Sequence, residues 1–159
     1  MSGQQLTVAE KLGRLDSIAT SNELNELVYG KAKASMIEQV RLGQMIDQIR
    51  GWLTDDVLMQ IGTLQGTEVG FRTDRDHTKS CYDSHELQEP ILTAILRGFR
   101  CVDNEFNIIG GRFYAALNGL ERKVREYPGL RDLNITPGVP KKNAKSPDVA
   151  SVPVIASYT

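Results

Sequence analysis

Basic and aromatic side chains gather in the part of the sequence that follows residue 96. The basic residues there include Arg97, Arg100, Arg112, Arg122, Lys123, Arg125 and Arg131, on either side of a segment with Phe106, Phe113 and Tyr114. Guanidinium and ammonium groups bind phosphates, and the release of counterions makes that binding salt-dependent. Exposed aromatic rings stack on unpaired bases, at about 1–3 kcal/mol per base. The pattern indicates a surface for single-stranded nucleic acid.

The same residues also fit a purely structural interpretation. In a half-buried sheet, Phe106, Ile108 and Phe113 would form the core face, and the basic side chains would lie on a solvated face. Gly110 and Gly111 permit the close approach of a backbone, either the protein's own or that of a nucleic acid. The spacing of the residues does not decide between the two interpretations.

Charge is divided unevenly along the 159 residues, although the formal net charge is only −1. Residues 1–96 carry 9 Lys and Arg against 14 Asp and Glu, a net of −5, and residues 97–159 carry 10 against 6, a net of +4. This division favours a basic half that binds a polyanion and an acidic half that supports it or contacts another subunit. The hydrophobic share of 40% is typical of a globular protein.

The sequence shows no apolar leader and no apolar run of membrane-spanning length. We therefore expect a cytoplasmic protein that contacts no membrane. In that compartment the two cysteines, Cys81 and Cys101, would be free thiols.

Three residues with metal-binding side chains fall close together, at His77, Cys81 and His85. Structural zinc sites use four protein ligands, and this spacing needs a helix where the composition indicates a loop. A solvated loop is therefore favoured over a metal site. Asp55 and Asp56 stand in the first turn of a predicted helix, where the helix dipole explains them.

A metal-dependent nuclease needs carboxylates that converge on the ion. Asp103, Glu121 and Lys123 follow the order of such a site, but the last two are two residues apart on a predicted helix and lie on different faces. The sequence contains no GxSxG motif, no P-loop and no dinucleotide-binding glycine motif. None of these patterns points to an enzyme or to a cofactor.

The hydrophobic pattern predicts an α+β fold, in which N-terminal helices precede a small antiparallel β-sheet with a packed helix. Amphipathic spacing predicts a helix over residues 23–53, with Gly30 and Gly43 as weak points, and Thr54 as the N-cap of the next helix. Pro90 delays the start of a further helix to about Glu89.

Residues 99–114 predict a β-hairpin with a turn at 103–105 and with Gly110 and Gly111 at a bulge or bend. Helical spacing returns over 115–127, and residues 133–136 and 149–159 are candidate strands on either side of a Pro/Lys linker. The chain is accordingly divided into an N-terminal segment 1–22, an α+β core domain 23–136, and a linker with a terminal strand 137–159.

The run AILRGFRCVDNEFNIIGGRFYAALNGLERKVRE resembles the central segment of phage proteins that anneal single-stranded DNA, the RecT/Red-beta superfamily. The matching pattern is an apolar helix ending in glycine (Ala94–Gly98), a strand and its exit (Ile108–Tyr114), and a basic helix (Gly119–Arg125). The resemblance extends over residues 30–140. Family members continue with more strands and a further basic helix, so this chain would correspond to a shorter version.

The resemblance implies binding and annealing of single-stranded DNA in phage-type homologous recombination, in a bacterial host cell, without bond-breaking chemistry. It also implies self-association into a ring or filament with a continuous positive groove, and a partner exonuclease. The DNA-binding residues would be Arg97, Arg100, Arg112, Phe113, Tyr114, Arg122, Lys123 and Arg125. A protein-interaction module of a phage or mobile element is the alternative, and a metal-dependent nuclease is the third hypothesis.

Overall fold

A computed structural model describes residues 6–29, 35–75 and 80–127, together with the backbone of four later strands. The chain divides into two compact units, residues 1–120 and 121–159. The fold is α+β, as the sequence predicts, with helices packed against a small three-stranded sheet.

The described residues form six helices: α1 (Val8–Ala19), α2 (Asn22–Tyr29), α3 (Met36–Trp52), α4 (Asp55–Gly62), α5 (Ser84–Leu96) and α6 (Leu117–Arg125). The helix predicted over residues 23–53 is two helices. The first ends at Tyr29, directly before Gly30, whereas Gly43 is accommodated inside α3. None of the described helices has the length and apolar character needed to cross a bilayer.

Helix α5 begins five residues before the predicted position near Glu89. Asp83 is its N-cap and accepts a hydrogen bond from the backbone N–H of Glu86, whose side chain accepts one from the N–H of Asp83 in return. This capping box satisfies the free donors of the first turn and fixes the helix start at Ser84. Pro90 lies inside the helix and is buried, so core packing offsets the hydrogen bond that proline cannot donate.

The sheet of the first unit contains β1 (Arg72–Thr73), β2 (Phe106–Ile109) and β3 (Arg112–Ala115), in that order. β2 and β3 form a hairpin in the segment where the sequence predicts one, with different strands and turn, and β1 pairs with β2 in parallel, so the sheet is mixed. The hairpin turn is Gly110–Gly111, with φ of +56° and +71°, and not the predicted turn at 103–105. A two-residue turn with both φ values positive strongly favours glycine.

One face of this sheet belongs to the hydrophobic core. Phe106 and Ile108 on β2 are 0% exposed, and the ring of Phe106 stacks on Phe71 and Phe113 with centroid distances of 5.0 and 5.4 Å. Phe99 contacts Phe113 edge-on at 5.2 Å. Aliphatic residues of α1 to α5 complete the core. The purely structural interpretation of Phe106, Ile108 and Phe113 is therefore the observed one.

The second unit contains two strand pairs. β4 (Asn134–Pro137) pairs antiparallel with β7 (Val154–Ser157), and β5 (Lys141–Asn143) pairs antiparallel with β6 (Ser146–Ser151). The candidate strand at 133–136 corresponds to β4, and the single candidate strand at 149–159 corresponds to the end of β6 and to β7. The Pro/Lys segment predicted as a linker contributes β5, and the terminal strand pairs with an upstream segment.

Two helical glycines are expected to respond in opposite ways to alanine. Gly43 lies inside α3, where an added methyl group meets no atom within 4 Å, so Gly43→Ala should stabilise the protein by up to about 1 kcal/mol. A methyl group on Gly119 would lie 2.5 Å from the carbonyl oxygen of Glu105 and 2.6 Å from the ring of Phe99. Gly119→Ala should therefore destabilise it by about 1–3 kcal/mol. Urea unfolding measures both changes, and equal midpoints for the two variants would contradict the close packing at Gly119.

Candidate nucleic-acid interface

The sheet face opposite the aromatic core carries cationic and aromatic side chains. Arg72, Asn107 and Tyr114 are paired across the three strands and therefore share this face, and the pair Ile109 and Arg112 forms a second row on it. Tyr114 is 47% exposed and Ile109 is 46% exposed, and both arginines are exposed. We call these five residues the open sheet face.

The spacing of the open sheet face follows from strand geometry. Arg72 and Tyr114 are separated by two inter-strand steps, roughly 10 Å, and Arg112 and Tyr114 are separated by two residues along β3, roughly 7 Å. Tyr114 thus has one guanidinium-bearing residue across the sheet and a second along its own strand. Asn107 lies between Arg72 and Tyr114, and its buried amide oxygen accepts no hydrogen bond from any described residue.

The two predicted stacking residues lie on opposite faces of β3. Tyr114 is on the open sheet face, whereas Phe113 is half-buried against Phe99 and Phe106 in the core. The guanidinium carbon of Arg97 lies 5.4 Å from the centre of the Phe113 ring and partly covers it. Phe113 is therefore a core residue at the margin of the sheet, and Tyr114 is the one of the two that can stack on a base.

Two other predicted cations follow the end of α5. Arg97 is the C-cap of that helix and is exposed, with its guanidinium group beside Phe113. Arg100 is also exposed, and its backbone N–H donates to the buried carboxylate of Glu105 at 2.8 Å. Neither residue belongs to the rows of the open sheet face.

The remaining predicted cations belong to the second unit and lie on α6. Arg122 donates to Glu126, the residue directly after the end of α6, at 2.5 Å, so a nearby carboxylate offsets its charge. Lys123 is half-buried and Arg125 is exposed. Of the eight residues predicted to contact DNA, Arg112 and Tyr114 therefore lie together on the open sheet face.

Sequence reasoning missed Arg72. Its strand is only two residues long, and its partner strand begins more than thirty residues later. So short a segment carries no periodic pattern, and a parallel pairing leaves no turn signal. The buried Phe71 next to it was the available clue, because neighbouring residues of a strand point to opposite faces.

The hairpin turn is held by hydrogen bonds from a neighbouring segment. The N–H of Gly110 donates to Asp74 Oδ2 at 2.9 Å, and the N–H of Gly111 donates to the hydroxyl oxygen of Tyr82 at 2.9 Å. The Tyr82 hydroxyl in turn donates to Asp74 Oδ1 at 2.8 Å. The hydrogen bond from the Gly110 N–H makes the largest contribution to lowering the pKa of Asp74, and the hydrogen bond from the Tyr82 hydroxyl adds to it. Burial raises the pKa of Tyr82.

Tyr82 is itself fixed from two further directions. The amide group of buried Gln65 donates to the carbonyl oxygen of Tyr82 at 2.9 Å and accepts its N–H at 3.0 Å. The guanidinium carbon of Arg75 lies 3.9 Å from the centre of the Tyr82 ring, and the same guanidinium binds both carboxylate oxygens of Glu86 at 2.8 and 2.6 Å. Arg75 lowers the pKa of Glu86. The turn is thereby connected to the start of α5.

Of the three residues considered for a metal site, Cys81 and His85 are exposed, and His77 lies outside the described residues. No group of three His, Cys, Asp or Glu side chains within the described ranges is arranged to hold a metal ion. Asp56, at the start of α4, forms an ion pair with the buried Lys11 at 3.3 Å.

Cys101 is not placed to act as a nucleophile. Burial raises the pKa of its thiol to about 12, and the charge of Glu105 makes a smaller contribution in the same direction. Because the thiolate is the reactive form, a thiol with this pKa stays inert at neutral pH.

No protein-family model, no curated protein and no solved structure matches this chain. The resemblance of residues 94–126 to phage annealing proteins stays a prediction from the sequence. A function for the chain has to be argued from the geometry of the open sheet face.

Replacement of Asp74 is expected to weaken the response of the protein to acid. Because the pKa of Asp74 is lowered in the folded state, this carboxylate stabilises the protein above the ordinary carboxyl pKa of about 4. That stabilisation is lost as the pH falls towards the lower folded pKa. Asp74→Asn should therefore reduce the unfolding temperature at neutral pH and change it less on acidification.

Thermal unfolding between neutral pH and about pH 3 provides the measurement. Asp47→Asn is the matched control, because Asp47 forms an exposed ion pair with Arg50 on α3 and should leave the acid response unchanged. An Asp74→Asn profile parallel to that of the wild type would show that the turn does not depend on this carboxylate.

Proposed function

We propose that this chain binds single-stranded DNA and anneals complementary strands in phage-type homologous recombination, in the cytoplasm of a bacterial host. The observation that carries the proposal is the open sheet face, where the exposed ring of Tyr114 lies on the same face as the guanidinium-bearing residues Arg72 and Arg112. An exposed ring next to cations is the combination by which proteins bind unpaired nucleic acid without sequence preference.

Stacking on Tyr114 favours a single strand over a duplex. In a duplex, each base is already stacked on its neighbours, so its flat face is not accessible to a side chain, whereas an unpaired base can turn onto the ring. The guanidinium groups of Arg72 and Arg112 would neutralise the flanking phosphates, which carry no sequence information. Because neither contact uses the pairing edge of a base, that edge remains accessible to a complementary strand.

The open sheet face holds no arrangement of groups for bond cleavage. Its members are two arginines, a tyrosine, an asparagine and an isoleucine, so it supplies no carboxylate pair to hold a divalent ion. The proposal is therefore of a binding protein that is not an enzyme and that uses no cofactor. Self-association and a partner exonuclease belong to the same proposal through the sequence resemblance.

A second candidate function is a protein-interaction module that binds no DNA. It is favoured by an exposed apolar cluster at the start of α3, where Met36, Ile37 and Val40 are 72%, 67% and 55% exposed. Exposed apolar side chains grouped on one helix often mark a protein contact. Size-exclusion chromatography with light scattering, on the wild type and on Ile37→Ser, measures whether this cluster supports self-association.

Tyr114→Ala is expected to weaken binding of a fluorescein-labelled oligo(dT) by about 5- to 150-fold, because one base-stacking contact contributes about 1–3 kcal/mol. Tyr114→Phe should retain most of the affinity, since it keeps the ring and removes only the hydroxyl. Fluorescence anisotropy measures the affinities, and annealing of complementary oligonucleotides can be followed by energy transfer. Loss of affinity in both variants would contradict stacking, and wild-type protein that leaves the anisotropy unchanged at low salt would exclude the proposed function.

The two arginines are expected to determine part of the salt dependence. Each phosphate contact on a single strand contributes about 0.7 to the slope of log affinity against log salt concentration. Arg72→Gln with Arg112→Gln should therefore reduce that slope by about 1.4. Arg41→Gln is the control, because Arg41 is an exposed arginine on α3, away from the sheet strands in sequence and paired with Glu38. An unchanged slope in the double variant would place the phosphate contacts elsewhere.

A further inference from the structure

We infer that Tyr82 is a positioning residue for the DNA interface, because it holds the Gly110–Gly111 turn from which Arg112 projects. The inference rests on the proposed function and concerns a residue that does not lie on the open sheet face. The observations that support it are the hydrogen bonds of the Gly110–Gly111 turn.

The turn has no side chains through which it could be packed. A methyl group at either Gly110 or Gly111 would meet no atom within 4 Å, so a side chain at these positions would have nothing to pack against. Its anchors are polar: the Gly110 N–H binds Asp74, and the Gly111 N–H binds the Tyr82 hydroxyl. Glycine has the greatest backbone freedom of all residues, so these two hydrogen bonds restrict a segment that would otherwise move easily.

Tyr82 is well suited to hold the turn because it is immobilised itself. It is 4% exposed, its backbone forms two hydrogen bonds with Gln65, and its ring is covered by Arg75. Its hydroxyl donates to Asp74 and accepts from Gly111, so its single proton and one lone pair are both in use. The rigid Tyr82 side chain thus fixes the position of the Gly111 N–H relative to the core.

Arg112 directly follows Gly111 and is the first residue of β3. It pairs with Ile109, and this pair is the last one before the turn. Both N–H groups of the turn are occupied by Asp74 and Tyr82, so the turn cannot itself bind a phosphate through them. A phosphate at this end of the open sheet face would be bound by the Arg112 side chain. The distance between the Arg112 guanidinium group and such a phosphate depends on where Tyr82 holds the turn.

A double-mutant cycle tests the inference with the full chain and labelled oligo(dT). Tyr82→Phe removes the hydroxyl and keeps the ring, and it should weaken binding by about 2- to 10-fold, as expected for one hydrogen bond. It should also reduce the salt slope by about 0.7, the share of one phosphate contact. In an Arg112→Gln background, Tyr82→Phe should have no further effect, because the side chain that it positions is already absent. In an Arg72→Gln background it should retain its full effect.

A general loss of structure would act differently. It would weaken binding by the same factor in the Arg112→Gln and Arg72→Gln backgrounds, and that result would overturn the inference. Asp74→Asn serves as a second variant, since it disturbs the same turn from the other N–H and should show the same dependence on Arg112. Absence of wild-type binding would refute the proposed function together with this inference, whereas wild-type binding with equal factors would refute the inference alone.

Discussion

The stack of three phenylalanine rings on the core face is the interaction on which the sheet and its open face depend. Phe71, Phe106 and Phe113 come from the three strands or their first flanking residue, and successive rings lie 5.0 and 5.4 Å apart. Burial of such rings is among the largest contributions that single side chains make to a core. Because side chains alternate along a strand, burying these rings sends the residue after each of them, Arg72, Asn107 and Tyr114, to the opposite face. The open sheet face is in this sense the reverse side of the core.

Each end of the hairpin is connected to the rest of the first unit by a different kind of contact. At the turn the contacts are hydrogen bonds from Asp74 and Tyr82 to backbone N–H groups. At the base, Ala116 donates to the carbonyl oxygen of Glu105, and Gly119 lies too close to that oxygen to carry a side chain. The base depends on close packing and the turn on polar groups. Acid therefore acts on the turn, while changes of side-chain volume act on the base.

Local signals in the sequence predicted a hairpin in this segment and several helix positions, because the physics that fixes them is local. Thr54 before two aspartates specifies a helix start. The hairpin turn was expected at residues 103–105 and lies instead at Gly110–Gly111. The start of α5 differs from the prediction based on Pro90, because the capping box of Asp83 and Glu86 fixes the start at Ser84 and the helix accommodates the proline. The assignment of Phe113 to the core and the contribution of Arg72 depend on which strands pair, and no local pattern encodes a parallel pairing between residues 72 and 107.

The open sheet face also shows that the distribution of charge along the sequence differs from its distribution on the folded surface. Arg72 belongs to the half of the chain with a net charge of −5, and Arg112 to the half with +4, yet strand pairing brings both to one face. Arg122, in the basic half, is neutralised by Glu126 one helical turn away. A cation contributes to a ligand-binding surface only if the potential around it stays positive after the charges of its neighbours in the fold are included. Strand register and helix periodicity determine which residues those neighbours are. The positive surface of this protein therefore follows from the pairing of β1, β2 and β3 more than from the uneven composition of its two halves.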